Sequence, residues 1–106
     1  MSTKQDHKKW RKEFNEDCLK RDGYKCVFCD KTENLDVHHI TDRKEMPNSG
    51  YVMSNGITLC PEHHLKCEAF HMVGSCEDEA YLPENLYKKI NSSYDKAYAD
   101  SIFDLV

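Results

Sequence analysis

The chain has no long apolar run. No stretch approaches the roughly 20 consecutive apolar residues that a membrane-spanning helix needs. The opening residues MSTKQDHKKWRKEF are polar and charged, without the apolar segment of a secretory signal. Apolar residues are scarce throughout, at 39% of 106 residues and a mean hydropathy of −0.82. One small domain of that composition has a thin core and calls for a staple, either disulfides or a metal. Internal repeats and low-complexity tracts are missing as well. So is net positive charge, which a nucleic-acid-binding chain would be expected to carry. The deficit is local, however. Residues 76–106 hold 3 Lys/Arg against 7 Asp/Glu and supply the whole −4, whereas residues 1–31 hold 9 basic and 6 acidic side chains.

What the sequence does have is cysteine: Cys18, Cys26, Cys29, Cys60, Cys67 and Cys76. In a secreted chain six cysteines would read as three bridges. With no signal segment and no membrane span, the expectation is a cytoplasmic, reducing setting, where clustered cysteines bind metal.

The coarse organisation is α+β. Trp10, Phe14 and Cys18 recur at i, i+4, i+8 and predict an amphipathic helix from about Asp6 to Arg21, closed by Gly23 in a left-handed cap. Leu35 to Ile40 alternates like a short strand, placing His38 and His39 on opposite faces. Residues 41–54, with Pro47, Asn48 and Gly50, read as a loop, and Gly56–Leu59 as a second strand. Pro61 suits the first turn of a helix running to about His71. An acidic linker over residues 74–83 leads to one more helical stretch, in which Tyr87, Tyr94 and Tyr98 fall at near-heptad spacing. The segments are an N-terminal helix (1–22), a metal-stabilised centre (23–72), and an acidic linker with helical tail (73–106). That tail is expected to pack across the domain or to dock a protein partner.

Two clusters carry chemistry. Cys26-x-x-Cys29 and Cys60-x-x-His63 each let one turn present two ligands, and together they complete a tetrahedral zinc site. Zinc binding on the order of 10 kcal/mol would supply the stability the core lacks. The second cluster is His38, His39 and His64, three imidazoles beyond what a structural site uses. Arg43 and Lys66 are the cations nearest to it in sequence and are candidate phosphate contacts. Cys18, Cys67 and Cys76 fall outside the pattern. Cys67, one turn after His63, could be a reserve ligand, but a buried free thiol is the favoured reading.

The run Cys26–Cys29, Val37-His38-His39-Ile40, Asn55-Gly56-Ile57-Thr58-Leu59-Cys60 and His63-His64 resembles the zinc-containing HNH endonucleases, especially small HNH proteins of phages and bacteria. The resemblance covers roughly residues 20–70. It implies a ββα-metal, treble-clef-like core with flanking helices, acting on DNA in the bacterial cytoplasm, with RNA a weaker alternative. It implies His39 as the general base and Asn55 as the residue orienting the loop and the base. It further implies His38 and His64 as ligands of a catalytic divalent metal. His38 stands where the family commonly has Asp, so Mn²⁺, Ni²⁺ or Zn²⁺ would compete with Mg²⁺. The base should also donate an orienting hydrogen bond from its other nitrogen to a loop carbonyl. The competing reading is a non-catalytic zinc-binding module that contacts nucleic acid or protein. Few residues remain for base-specific readout, so a partner or a second copy would supply target choice.

Overall fold

A computed structural model describes residues 4–102, so the first three residues of the expected N-terminal helix and the last four of the tail lie outside the described residues. Helix α1 (Lys4–Arg21) buries Phe14 and Cys18, with Trp10 half-buried beside them. It stops where expected. Gly23 sits at φ 72°, its N–H bonds to the Lys20 carbonyl at 3.2 Å, and the Tyr24 N–H bonds to the Leu19 carbonyl at 2.8 Å. This pair of bonds is a Schellman cap, and it leaves Arg21 and Asp22 facing the sheet. The Arg21 guanidinium reaches the carbonyls of Met53 (2.6 Å) and Gly56 (2.7 Å), while the Asp22 carboxylate accepts from the Thr58 N–H at 3.1 Å. The helix end is thereby latched to a strand more than 30 residues away.

Strands β1 (Asp36–His39) and β2 (Gly56–Leu59) pair antiparallel, Val37 opposite Thr58 and His39 opposite Gly56. Alternation sends Val37 and His39 toward α1, and His38 toward α2 (Pro61–Val73). Gly56 lets α1 approach: a Cβ there would lie 2.6 Å from both the Cys18 Sγ and the Phe14 ring. Ile57 and Leu59 join the larger core with Ile40, Cys67, Leu86 and Ala97. The stretch between the strands, expected as a loop, winds into short 3₁₀ turns at Arg43–Glu45 and Met53–Asn55, with a left-handed kink at Asn48 (φ 52°) and Ser49 (φ 62°) inside Pro47–Gly50 between them.

The tail differs from the single helical stretch expected. It forms α3 (Pro83–Lys89) and α4 (Tyr94–Ser101), separated by a turn in which Asn91 takes φ 55° and the Ser92 N–H caps the Tyr87 carbonyl at 2.8 Å. Ser93 then starts α4 by accepting from the Lys96 N–H at 3.1 Å. Leu86 and Tyr87 on one helix and Ala97 on the other enter the same core. The tail packs across the domain. The described residues form an α+β unit of four α-helices and one two-stranded sheet, and none of the helices is long and apolar enough to cross a membrane.

Candidate metal centre and histidine cavity

Cys26 and Cys29 lie on a tight turn before β1, and Cys60 and His63 on the last residue before α2 and its first turn. Three backbone bonds shape that turn: Asp30 N–H to Cys26 O (2.9 Å), Cys26 N–H to Lys31 O (2.8 Å) and Val27 N–H to Thr58 O (3.1 Å). The last places the turn over β2. The four ligand atoms fall within 4.8 Å of one another. Cys29 Sγ is 3.7 Å from Cys60 Sγ, and His63 Nδ1 is 3.2 Å from Cys60 Sγ and 3.8 Å from Cys26 Sγ. Zinc bonds of about 2.3 Å to sulfur and about 2.0–2.1 Å to nitrogen put tetrahedral donors at this kind of spacing. Burial raises the Cys60 thiol, but the main chain and ring of His63 and the thiols of Cys29 and Cys26 outweigh it and bring the group down to about 6. That thiol is ready to ionise, as a metal ligand must. This Cys₃His group could hold a structural metal such as zinc. Phe28 stacks on the His63 ring at 5.1 Å and fixes its orientation. Cys67 is outside the group. It lies in the apolar core, where burial pushes its thiol up to about 12.

A second group forms where β1 faces α2. His38 Nδ1 lies 3.3 Å from Glu68 Oε2, and His64 Nε2 lies 3.5 Å from the same oxygen. His38, His64 and Glu68 are thus a second set of donors close enough for one ion. His64 Nδ1 faces Asp36 Oδ2 at 3.5 Å, an arrangement that turns Nε2 inward. His38 is 2% exposed, and its Nε2 has no hydrogen-bond partner among the described residues. Burial, then the neighbouring imidazoles of His71, His64 and His39, press its pKa to about 2, so the ring is neutral and available as a donor.

His39 occupies the other face. Its ring stacks on Phe14 at 4.5 Å and meets Tyr51 edge-on at 5.1 Å. Among the described residues the ring makes no hydrogen bond, so aromatic packing holds it where a loop carbonyl had been expected to. Burial, then the Arg43 charge and His71, lower its pKa to about 4. The ring is neutral at pH 7, and its Nε2 has no partner.

Asn55 is fully buried and bridges the two ends of the connection between the strands. Its Oδ1 accepts from the Thr41 N–H (3.0 Å) and the Tyr87 hydroxyl (2.8 Å), and its Nδ2 donates to the carbonyls of Thr41 (3.1 Å) and Gly50 (3.3 Å). Thr41 Oγ1 donates in turn to the Tyr87 oxygen at 2.6 Å. The C-terminal helices thereby reach the residue immediately before β2.

His38, His39, His64 and Arg43 line one open cavity of about 510 Å³. Lys66 does not line it. Two residues along a helix is about 200° of rotation, and Lys66 points instead to Glu62 (3.8 Å) and the Tyr81 ring. Glu68 and His71, which line the cavity, were not singled out from the sequence. They follow His64 at i+4 and i+7, a helical phase that could have found them. His71 Nε2 donates to the His39 carbonyl at 2.7 Å, and its ring stacks on His38 at 4.9 Å.

No protein-family model, curated protein or solved structure matches this chain.

Proposed function

We propose that the chain is an HNH-type, metal-dependent nuclease that hydrolyses phosphodiester bonds of DNA, built on a zinc-stabilised ββα-metal core. The observation that carries the reading is the division of labour between two adjacent residues. His38 turns to a donor set with His64 and Glu68, while His39 keeps an unpartnered nitrogen, and both line the same cavity.

Each element of the site has a use in that chemistry. Cys26, Cys29, Cys60 and His63 would hold the structural zinc. His38, His64 and Glu68 would hold a divalent ion such as Mg²⁺ or Mn²⁺, which supplies charge neutralisation on the phosphoryl group and its leaving oxygen. Two imidazoles in that set also admit Ni²⁺ or Zn²⁺. His39 accepts the proton of the attacking water. Its lowered pKa guarantees the neutral form at pH 7 but makes a weak base. An arriving phosphate brings negative charge beside the ring and raises its proton affinity toward the working range. Asn55 holds the strand connection at both ends, and so fixes the segment leading from β1. A purely structural zinc module would have no need to bury a neutral histidine beside a carboxylate and two further imidazoles.

The test is plasmid nicking with added Mg²⁺ or Mn²⁺, comparing the native chain with His39→Ala and assaying RNA in parallel. Cleavage lost in the variant at unchanged zinc content supports the reading. Equal cleavage in both removes His39 from the mechanism. No cleavage of either nucleic acid with any metal leaves a non-catalytic binding module.

A further inference from the structure

Six basic side chains of this fold are paired with carboxylates. Lys9, Arg21, Lys25, Lys31, Lys66 and Lys96 each lie within 4.0 Å of a carboxylate. None of the six lines the cavity that holds His38 and His39. The cations that do line it are Arg11, Arg43 and Lys44, and none of these has a carboxylate within 4.0 Å among the described residues. Lys8, Lys12, Lys20, Lys88 and Lys89 also lack a carboxylate within 4.0 Å among the described residues, but they lie off the cavity; Arg11, Arg43 and Lys44 differ from them in converging on the cavity of His38 and His39.

The three come from two elements. Arg11 stands on α1 with Asn15 and Leu19 at i+4 and i+8, and this stripe forms one side of the cavity lining. Arg43 and Lys44 belong to the first 3₁₀ turn after β1. The elements meet over Tyr51, whose hydroxyl takes one Arg43 N–H at 3.1 Å and whose ring packs on Phe14 of α1 at 5.8 Å. Arg43 is thus tethered close to His39 with most of its donors unspent. The carboxylates in the lining are engaged elsewhere. Asp36 and Glu68 face the imidazoles of His64 and His38, and Asp42 caps the Lys44 N–H at 3.1 Å. The cavity lining therefore combines carboxylates already engaged with cations that have no carboxylate partner.

We infer that Arg11, Arg43 and Lys44, with Asn15, form a phosphate-binding rim that grips the nucleic-acid backbone next to the bond presented to His39. The inference rests on the nuclease reading and adds to it that α1, which lies outside the HNH-like motif, is part of the nucleic-acid interface. The contacts are to phosphate and carry no base sequence. They also place positive charge where the substrate lies, in a chain whose net charge is −4.

The experiment measures binding apart from chemistry. The zinc-loaded full chain carrying His39→Ala is titrated into a short fluorescent DNA duplex over a series of NaCl concentrations. Arg11→Gln and Lys44→Gln, each added to that parent, are expected to raise Kd severalfold. Each should flatten the plot of log affinity against log salt by about 0.9, the increment for one phosphate contact. Lys66→Gln, off the cavity, should leave both as in the parent. Arg11→Gln binding like the parent, or Lys66→Gln weakening it equally, overturns the rim while leaving the nuclease reading intact. A parent that fails to bind at low salt overturns both.

Discussion

The ring of His71 grips both adjacent histidines of β1: its Nε2 donates to the main-chain carbonyl of His39 at 2.7 Å, and its face lies 4.9 Å from the ring of His38 at an interplanar angle of 26°. A carbonyl only accepts, so Nε2 carries the proton, and the tautomer is set by the contact. The bond ties α2 to β1 at the point where the two histidine side chains diverge. His71→Phe keeps a ring to stack but has no donor. It should cost about 1 kcal/mol of stability. Mn²⁺ affinity measured by calorimetry should fall, and nicking should fall more steeply, because small displacements of reacting groups are costly. His71→Gln, which restores an N–H, should recover part of the rate. Unchanged Mn²⁺ affinity and nicking in His71→Phe would show the contact to be incidental.

Asn55 satisfies four polar groups at once, all of them buried or partly so. Asn55→Ala leaves two donors without an acceptor and two carbonyls without a donor. The expected loss is about 3 kcal/mol or more, readable from urea unfolding of the zinc-loaded protein. Zinc content should persist, since the Cys₃His ligands do not contact Asn55. A loss under about 1 kcal/mol would mean that water replaces the amide.

Burial pushes the Cys18 thiol up to about 12, above the contrary pull of Arg21. A raised pKa makes the neutral thiol a source of stability that is fully present below the unfolded value of 9.0 and is lost as pH rises from there toward 12. The Cys18→Ala variant is expected to show a shallower alkaline decline in unfolding free energy than the native chain between those limits. Alkylation at pH 8 should spare Cys18 in the native protein. Modification of Cys18 without unfolding would contradict the packing of α1 on the sheet.

The Cys₃His group and the two strands are legible in the sequence because both follow short-range rules. Two-residue gaps bring ligands together, and alternation parts His38 from His39. Pro61 marks the start of α2, and Gly23 the end of α1, for similarly local reasons. What stays hidden depends on the phase or partners of an element. Lys66 is near His64 in sequence but on another side of α2, whereas Glu68 and His71 are farther along and in phase. Tyr87, Tyr94 and Tyr98 mimic one helix because their spacing is regular; only the positive φ at Asn91 and the Ser93 cap divide it. The tie from Tyr87 to Asn55 spans 32 residues and has no local signature.

Gly56 carries a consequence for how this module could change. Because Phe14 and Cys18 rest directly on its backbone, the seam between α1 and the sheet has no side chain to trim or enlarge on the sheet side at Gly56. Phe14 is also the surface on which His39 lies. The helix and the strand pair therefore cannot be exchanged independently. A chimera that grafts residues 20–70 onto another scaffold would inherit the ligands and the cavity histidines, yet would lose the plate that keeps His39 still.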